Sequence, residues 1–331
     1  MRLLINTDVH RPAWRSFLLE NIFASPFQSE AFYDFINSVD QFSSDVFTIE
    51  ENNNYTSLAV VVLQKEKGLK SFLTRRAVIY GGPLLKPGNR QSLKSLLVSI
   101  KKYYGNRIIY LEVRNYFDYS QHIETYESIG FTYNPWVNFW LKTDNLEKMQ
   151  SGMSNSRLRQ VKKAIRSGVQ WHEAKNENEI QSFFSILNRL YKQKIKKPLP
   201  PEAFFLNFFL QSVGKYLLVT YKGDIIGGIM CALIQGKAIY EYYICGLDNE
   251  YKDQYPSVMA TWAAMEYAWL TGIKYLDFMG AGNPDQHYGV REFKARFGGK
   301  KVEYGRFLYK TNSTLFSLGK LGLRILKIIK V

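Results

Sequence analysis

The chain has 331 residues, 46% of them hydrophobic and 15% aromatic, and its 44 Lys and Arg outweigh 29 Asp and Glu to give a formal charge of +15. Its length exceeds what one hydrophobic core usually organises, so two domains are expected, and its apolar content excludes an extended disordered chain. Two cysteines, Cys231 and Cys245, and four scattered histidines, His10, His122, His172 and His287, exclude a disulfide framework and a zinc site of ordinary spacing. No metal or cofactor is expected.

The opening run, Met1 to Asp8, is too short in apolar residues for a signal peptide, and no later stretch reaches the roughly 18 apolar residues of a membrane span. A cytoplasmic protein is the expectation. Leu58 to Leu63 and Ala77 to Tyr80 are apolar and rich in β-branched residues, and both read as strands. From Asn89 to Tyr104, Leu93, Leu96, Leu97 and Ile100 recur at helical spacing, followed by a strand from Arg107 to Val113. A helix over Tyr119 to Ile129 stops at Gly130.

Met153 to Ser167 predicts a basic helix that carries Arg157, Arg159, Lys162, Lys163 and Arg166 and is closed by Gly168. Lys192, Lys194, Lys196 and Lys197 follow before Pro198-Leu-Pro-Pro201. The order of elements then repeats. Strands over Tyr216 to Tyr221 and Ile225 to Ile234 flank the turn Lys222-Gly-Asp224, and a strand over Ala238 to Cys245 precedes a helix from Ser257 to Thr271 and a strand from Tyr275 to Met279. Two copies of a hairpin, strand, helix, strand unit imply a tandem duplication. At the end, Thr314 to Val331 is apolar, and Lys320, Arg324, Lys327 and Lys330 share one helical face. Such a helix suits either docking on the first domain or peripheral contact with an anionic membrane.

In this order the sequence resembles the Fem-type family, the peptidoglycan-bridge aminoacyltransferases and their relatives. The resemblance rests on Ser25-Pro-Phe-Gln-Ser29, Arg76 to Leu84, the basic helix Arg157 to Val169, Tyr255-Pro-Ser257, Gly272 to Phe278 and Gly289 to Gly299. It implies an α/β fold of two tandem GNAT-like domains, each a mixed sheet flanked by helices. The expected division is 1–148, 149–312 and a C-terminal amphipathic helix, 313–331, packing near the first domain. It also implies Phe293 and Lys294 at the reacting centre. Lys294 would face the oxyanion formed when an amine attacks an acyl carbonyl, and the Phe293 backbone carbonyl would hold that amine. A fixed cation acts there because the charge it meets exists only in the transition state. Lys294→Met is therefore expected to slow transfer strongly and to leave folding nearly intact.

Substrate-binding candidates are Arg157, Lys163, Arg166 and Lys197, which would grip phosphates, together with Tyr243 and Arg291. Asp277, on a strand, is expected to serve the fold by accepting backbone N–H bonds. Two departures stand out: Ile36 replaces a lysine that family members often use for a nucleotide-sugar phosphate, and Lys196 or Lys197 replaces an arginine. Neither turn expected to hold coenzyme A has spaced glycines, and Pro256 removes a donor. The implied donor is aminoacyl-tRNA, and the implied acceptor is a nucleotide-sugar- or lipid-linked cell-wall precursor. Two other readings stay open: an N-acyltransferase acting on an amino sugar in polysaccharide or glycolipid assembly, and a non-catalytic RNA- or membrane-surface-binding protein.

Overall fold

The structure is a computed structural model that describes residues 1–64 and 75–319. It divides into two compact units, Met1–Trp136 with Glu303–Val331, and Val137–Val302. The expected boundary at 148/149 lies later than this division. The reason is the strand Val137–Lys142, which hydrogen bonds in the second sheet through Leu141↔Leu276 and Trp140↔Asp277.

The first unit is built from β1 (Arg2–Ile5), α1 (Arg11–Glu20), α2 (Glu30–Asn37), β2 (Phe42–Glu51), β3 (Asn54–Gln64), β4 (Arg76–Gly81), β5 (Leu84–Leu85), α3 (Arg90–Tyr104), β6 (Tyr110–Asn115), α4 (Ile123–Glu127) and β7 (Thr132–Asn134). Its described sheet runs β1-β2-β3-β4-β6, then a strand from the far end of the chain (Arg306–Lys310), then β7, with β5 beside β3. Helix α3 shows why the local sequence folds as it does. The Asn89 side chain accepts from Ser92 N at 2.9 Å and caps it, Leu93, Leu96, Leu97 and Ile100 form its buried stripe, and Lys101 and Lys102 lie in the last turn. That stripe packs on β2 and β3.

The second unit continues with β8 (Val137–Lys142), α5 (Leu146–Gly152), α6 (Asn155–Arg166), β9 (Gln170–Glu173), α7 (Glu177–Leu190), α8 (Glu202–Leu210), β10 (Gly214–Tyr221), β11 (Asp224–Ile234), β12 (Ala238–Gly246), α9 (Pro256–Leu270), β13 (Tyr275–Asp277), α10 (Gly289–Ala295) and β14 (Lys300–Glu303). The order is β14-β8-β13-β12-β11-β10-β9, and from β8 to β9 the β12–β13 step is parallel and the other steps are antiparallel. Helix α9 is apolar almost all round, as its burial against β10, β11 and β12 requires. Helices α7 and α8 cover the sheet elsewhere, with Phe183 edge-on to Tyr216. The strand that closes the first sheet, β15 (Arg306–Lys310), follows β14.

Some backbone approaches leave no room for a side chain. A Cβ at Gly214 would lie 2.0 Å from the Cys231 carbonyl oxygen and 2.6 Å from the Phe208 ring. The clash falls on backbone pinned by the Lys215↔Cys231 register. Gly214→Ala is expected to cost about 1–3 kcal/mol, read as a lower urea midpoint at unchanged m-value. An unchanged midpoint would show that the strand end shifts freely.

Residues 311–319 lie on the first unit, where Phe316 packs edge-on to Tyr110 at 5.3 Å. The remaining part of the expected terminal helix, with Lys320, Arg324, Lys327 and Lys330, lies outside the described residues. Among the described residues no helix is long and apolar enough to cross a membrane.

Candidate active site

The sequence singles out Phe293 and Lys294, which fall on the short helix α10. The Lys294 ammonium is buried, with 8% of its side chain exposed, and it meets Glu241 Oε1 of β12 at 3.2 Å. It also donates to the carbonyl oxygens of Phe278 and, at 3.1 Å, of Gly280. Three acceptors from two segments therefore fix one cation. Glu241 was missed by the sequence reading. Burial pushes its carboxyl above the usual range, while Lys294 and the Thr261 hydroxyl pull it back. A glutamate inside the apolar run Ile239 to Ile244 was the available signal, since glutamate is almost never buried unpaired.

The segment following β13 supplies carbonyls to both cations of α10. Arg291, one turn before Lys294, donates through Nε to Ala281 O at 2.9 Å and through Nη1 to Pro284 O at 3.1 Å, and also reaches Asn283 O. Met279, Gly280 and Gly282 take positive φ values of 54°, 95° and 82°, which is how these carbonyls come to face one helix. Arg291 thus holds the loop whose neighbouring carbonyls hold Lys294.

Asp277 ends β13 in full burial. Its Oδ1 accepts from Asn138 Nδ2 at 2.8 Å and from Met279 N at 2.6 Å. Burial pushes its carboxyl up to about 6 against these hydrogen bonds and the Lys294 charge.

Helix α6 shows the predicted basic face, but Arg157 turns inward while Arg159, Lys162, Lys163 and Arg166 are exposed. Its guanidinium lies 4.6 Å from the Phe293 ring centroid and 4.7 Å from that of Phe297, and Nη1 donates to Gln160 Oε1 at 2.9 Å. Burial, with Arg296 nearby, lowers it to about 10. Arg157 and Phe293 are therefore in contact. Lys163 instead pairs with Asp253 at 2.6 Å, Arg166 donates to Lys162 O, and Lys197 is solvent-exposed. Tyr243 follows a bulge in β12, where Cys231 opposes Glu241 and Met230 opposes Tyr243, and its ring packs 5.2 Å from that of Phe205.

The start of α9 carries its own anion. Asp248 accepts from Ser257 N at 3.0 Å and from Ser257 Oγ at 2.5 Å, Pro256 lacks an N–H, and Tyr255 sits at a positive φ of 49°. The carboxylate satisfies an end that an exogenous phosphate would otherwise use. Asp248→Ala is expected to lower stability by about 1 kcal/mol, measured by thermal unfolding. No change would mean that Ser257 finds another acceptor.

Two mixed sheets flanked by helices define a pair of tandem GNAT-like domains. Residues 230–321, which include β12, α9 and α10, match the model of the FemAB family, so the resemblance to Fem-type proteins read in the sequence holds for this stretch. No curated protein matches the sequence. Among solved structures, FemX aligns with a TM-score of 0.75 at 14% identity, covering 96% of this chain and 99% of that one. The structure titled L-PGS from Bacillus licheniformis aligns at 0.59 and 11% identity, covering 94% and 96%. A tandem GNAT protein from the clavulanic acid biosynthesis pathway aligns at 0.59 and 10% identity, covering 94% and 99%. At these identities the likeness is one of fold.

Proposed function

We propose that this chain is a Fem-type transferase that forms an amide between an activated acyl group and an amine of a cell-wall precursor, in the cytoplasm, with aminoacyl-tRNA as donor. The observation that carries the reading is the buried Lys294 ammonium, held in place on α10 and charge-matched by Glu241. The FemAB match over residues 230–321 supports the same class.

In the proposed step the acceptor amine attacks the carbonyl carbon of the aminoacyl ester. The new C–N bond forms, the carbonyl oxygen becomes an oxyanion, the ester C–O bond breaks, and the amine proton ends on the departing ribose hydroxyl. Lys294 meets the oxyanion by exchanging its contact with Gly280 O, so the charge is already desolvated and oriented when needed. The amine is held by the Phe293 carbonyl oxygen. Phe297 N, which would ordinarily bond to it, donates to Lys294 O at 3.0 Å, so among the described residues the following turn leaves that oxygen open. Arg157, against the Phe293 ring, is a cation for an anionic part of the substrate, and the exposed Lys163, Arg166 and Lys197 supply weaker, salt-sensitive attraction to phosphates.

The second reading, an N-acyltransferase using a coenzyme A thioester, requires a phosphate at a helix start that Asp248 and Pro256 already close. Titration of the protein with coenzyme A and with aminoacyl-tRNA separates the two. Binding of aminoacyl-tRNA that weakens steeply with salt, with none for coenzyme A, is the expected result. Tight coenzyme A binding would overturn the choice of donor.

A further inference from the structure

The ladder between β13 and β8 does not end at Asp277↔Trp140. Phe278 N donates to Phe139 O at 3.2 Å, and Ala281 N donates to Val137 O at 2.6 Å. Between those two bonds Met279 and Gly280 stand opposite the single residue Asn138, a bulge that fits their positive φ values of 54° and 95°. A bulge takes backbone N–H groups away from their cross-strand acceptors, and leaving them unpaired inside a protein is costly. Side chains meet both here: Met279 N donates to Asp277 Oδ1 at 2.6 Å, and Gly280 N donates to Asn138 Oδ1 at 2.8 Å.

The two side chains are also bonded to each other, Asn138 Nδ2 donating to Asp277 Oδ1 at 2.8 Å. Asn138 Oδ1 accepts a second bond from Phe139 N at 2.8 Å, which orients its amide. Asn138 is 4% exposed and Asp277 fully buried, so water does not compete for these bonds. With its N–H groups engaged in this way, the bulge turns its carbonyls to α10, where Phe278 O and Gly280 O both accept from the Lys294 ammonium. A lysine stem is flexible, so its acceptors decide where its charge stands.

We propose that Asn138 is a positioning residue for transfer: it locks the Met279–Gly280 bulge so that the Phe278 and Gly280 carbonyls set the place of the Lys294 ammonium. The proposal rests on the reading of Lys294 as the cation that meets the oxyanion. Misplacing a reacting group by about 1 Å costs about a hundredfold in rate, so a residue one link removed from the cation can govern the chemistry.

The test uses the full chain and two readouts, one of which needs no activity. Brief labelling of the folded protein with acetic anhydride, followed by peptide mass spectrometry, compares Lys294 with the exposed Lys252. In Asn138→Ala the labelling of Lys294 is expected to rise about tenfold or more over wild type, as loss of a hydrogen bond to a charged group allows, with Lys252 unchanged. Single-turnover transfer from radiolabelled aminoacyl-tRNA to a lysine-containing peptide should slow about tenfold or more, with the donor concentration at half-saturation unchanged. Asn145→Ala removes the cap of α5, where Asn145 Oδ1 accepts from Lys148 N at 2.9 Å, and controls for lost stability as such; neither readout should move. Should Asn138→Ala fail to fold, Asn138→Ser, with a hydroxyl one bond shorter, replaces it under the same expectations. Wild-type labelling of Lys294 in the folded variant overturns the proposal, and so does an equal rise in Asn145→Ala. A wild-type protein that transfers nothing sinks the transferase reading instead, and the labelling still decides whether Asn138 sets the position of Lys294.

Discussion

Lys294→Met is expected to reduce the transfer rate by about a hundredfold or more, because the ammonium would be lost where charge develops in the transition state. The sequence reading expected this variant to fold nearly as well as the parent. The Lys294–Glu241 pair changes that: Glu241 is left buried without its cation at 3.2 Å, and breaking such a pair costs about 3 kcal/mol. Adding Glu241→Gln to Lys294→Met removes the orphaned charge and is expected to recover most of the stability with no recovery of rate. Unfolding midpoints and single-turnover rates for the three proteins separate the two effects. Wild-type turnover in Lys294→Met, or a rate restored in the double variant, would remove the lysine from the chemistry.

Asp277→Asn is expected to flatten the pH dependence of stability. The carboxyl ionises near 6 in the folded protein against an ordinary value of 3.8, so the native state holds this proton more tightly than the unfolded chain. Its contribution is complete below about pH 4 and is lost as pH rises through about 6, a change of about 3 kcal/mol for a shift of about two units. Asparagine keeps the oxygen that accepts from Asn138 and Met279 and cannot ionise. The Trp140 indole, which also favours the charged carboxyl, loses part of its partner, so the slope is the better readout than the value at one pH. Denaturant unfolding from about pH 4 to 7 should show the difference between variant and parent. Parallel curves would mean that Asp277 stays ionised throughout.

The sequence revealed most where local signals were strong. The stripe of α3, the turn at Lys222-Gly223 with φ of 52° and 91°, and the helix expected from Ser257 to Thr271 all stand close to where periodicity and turn chemistry put them. The domain limits were less legible, because what assigns Val137–Lys142 to the second sheet is its pairing with β13, more than a hundred residues away in sequence. Nothing in Arg306-Phe-Leu-Tyr-Lys310 announces its partners either. At the candidate site, Phe293 and Lys294 were found through resemblance alone. Glu241 escaped because a strand rich in tyrosine and isoleucine reads as packing until its opposite charge is seen. Arg157 was read as one of a basic set gripping phosphates, and only the positions of Phe293 and Phe297 show it turned inward.

The position of β15 between β6 and β7 also fixes a timetable for biosynthesis. All strands of the second sheet have been synthesised by Glu303, whereas the first sheet has a gap in its interior until Arg306–Lys310 is made. At roughly 5–20 residues per second, β6 and β7 wait on the order of ten seconds for the strand that joins them. During that interval each presents an unpaired edge, which is a template for mispairing. The half of the protein that is translated first is therefore the half whose sheet is completed last.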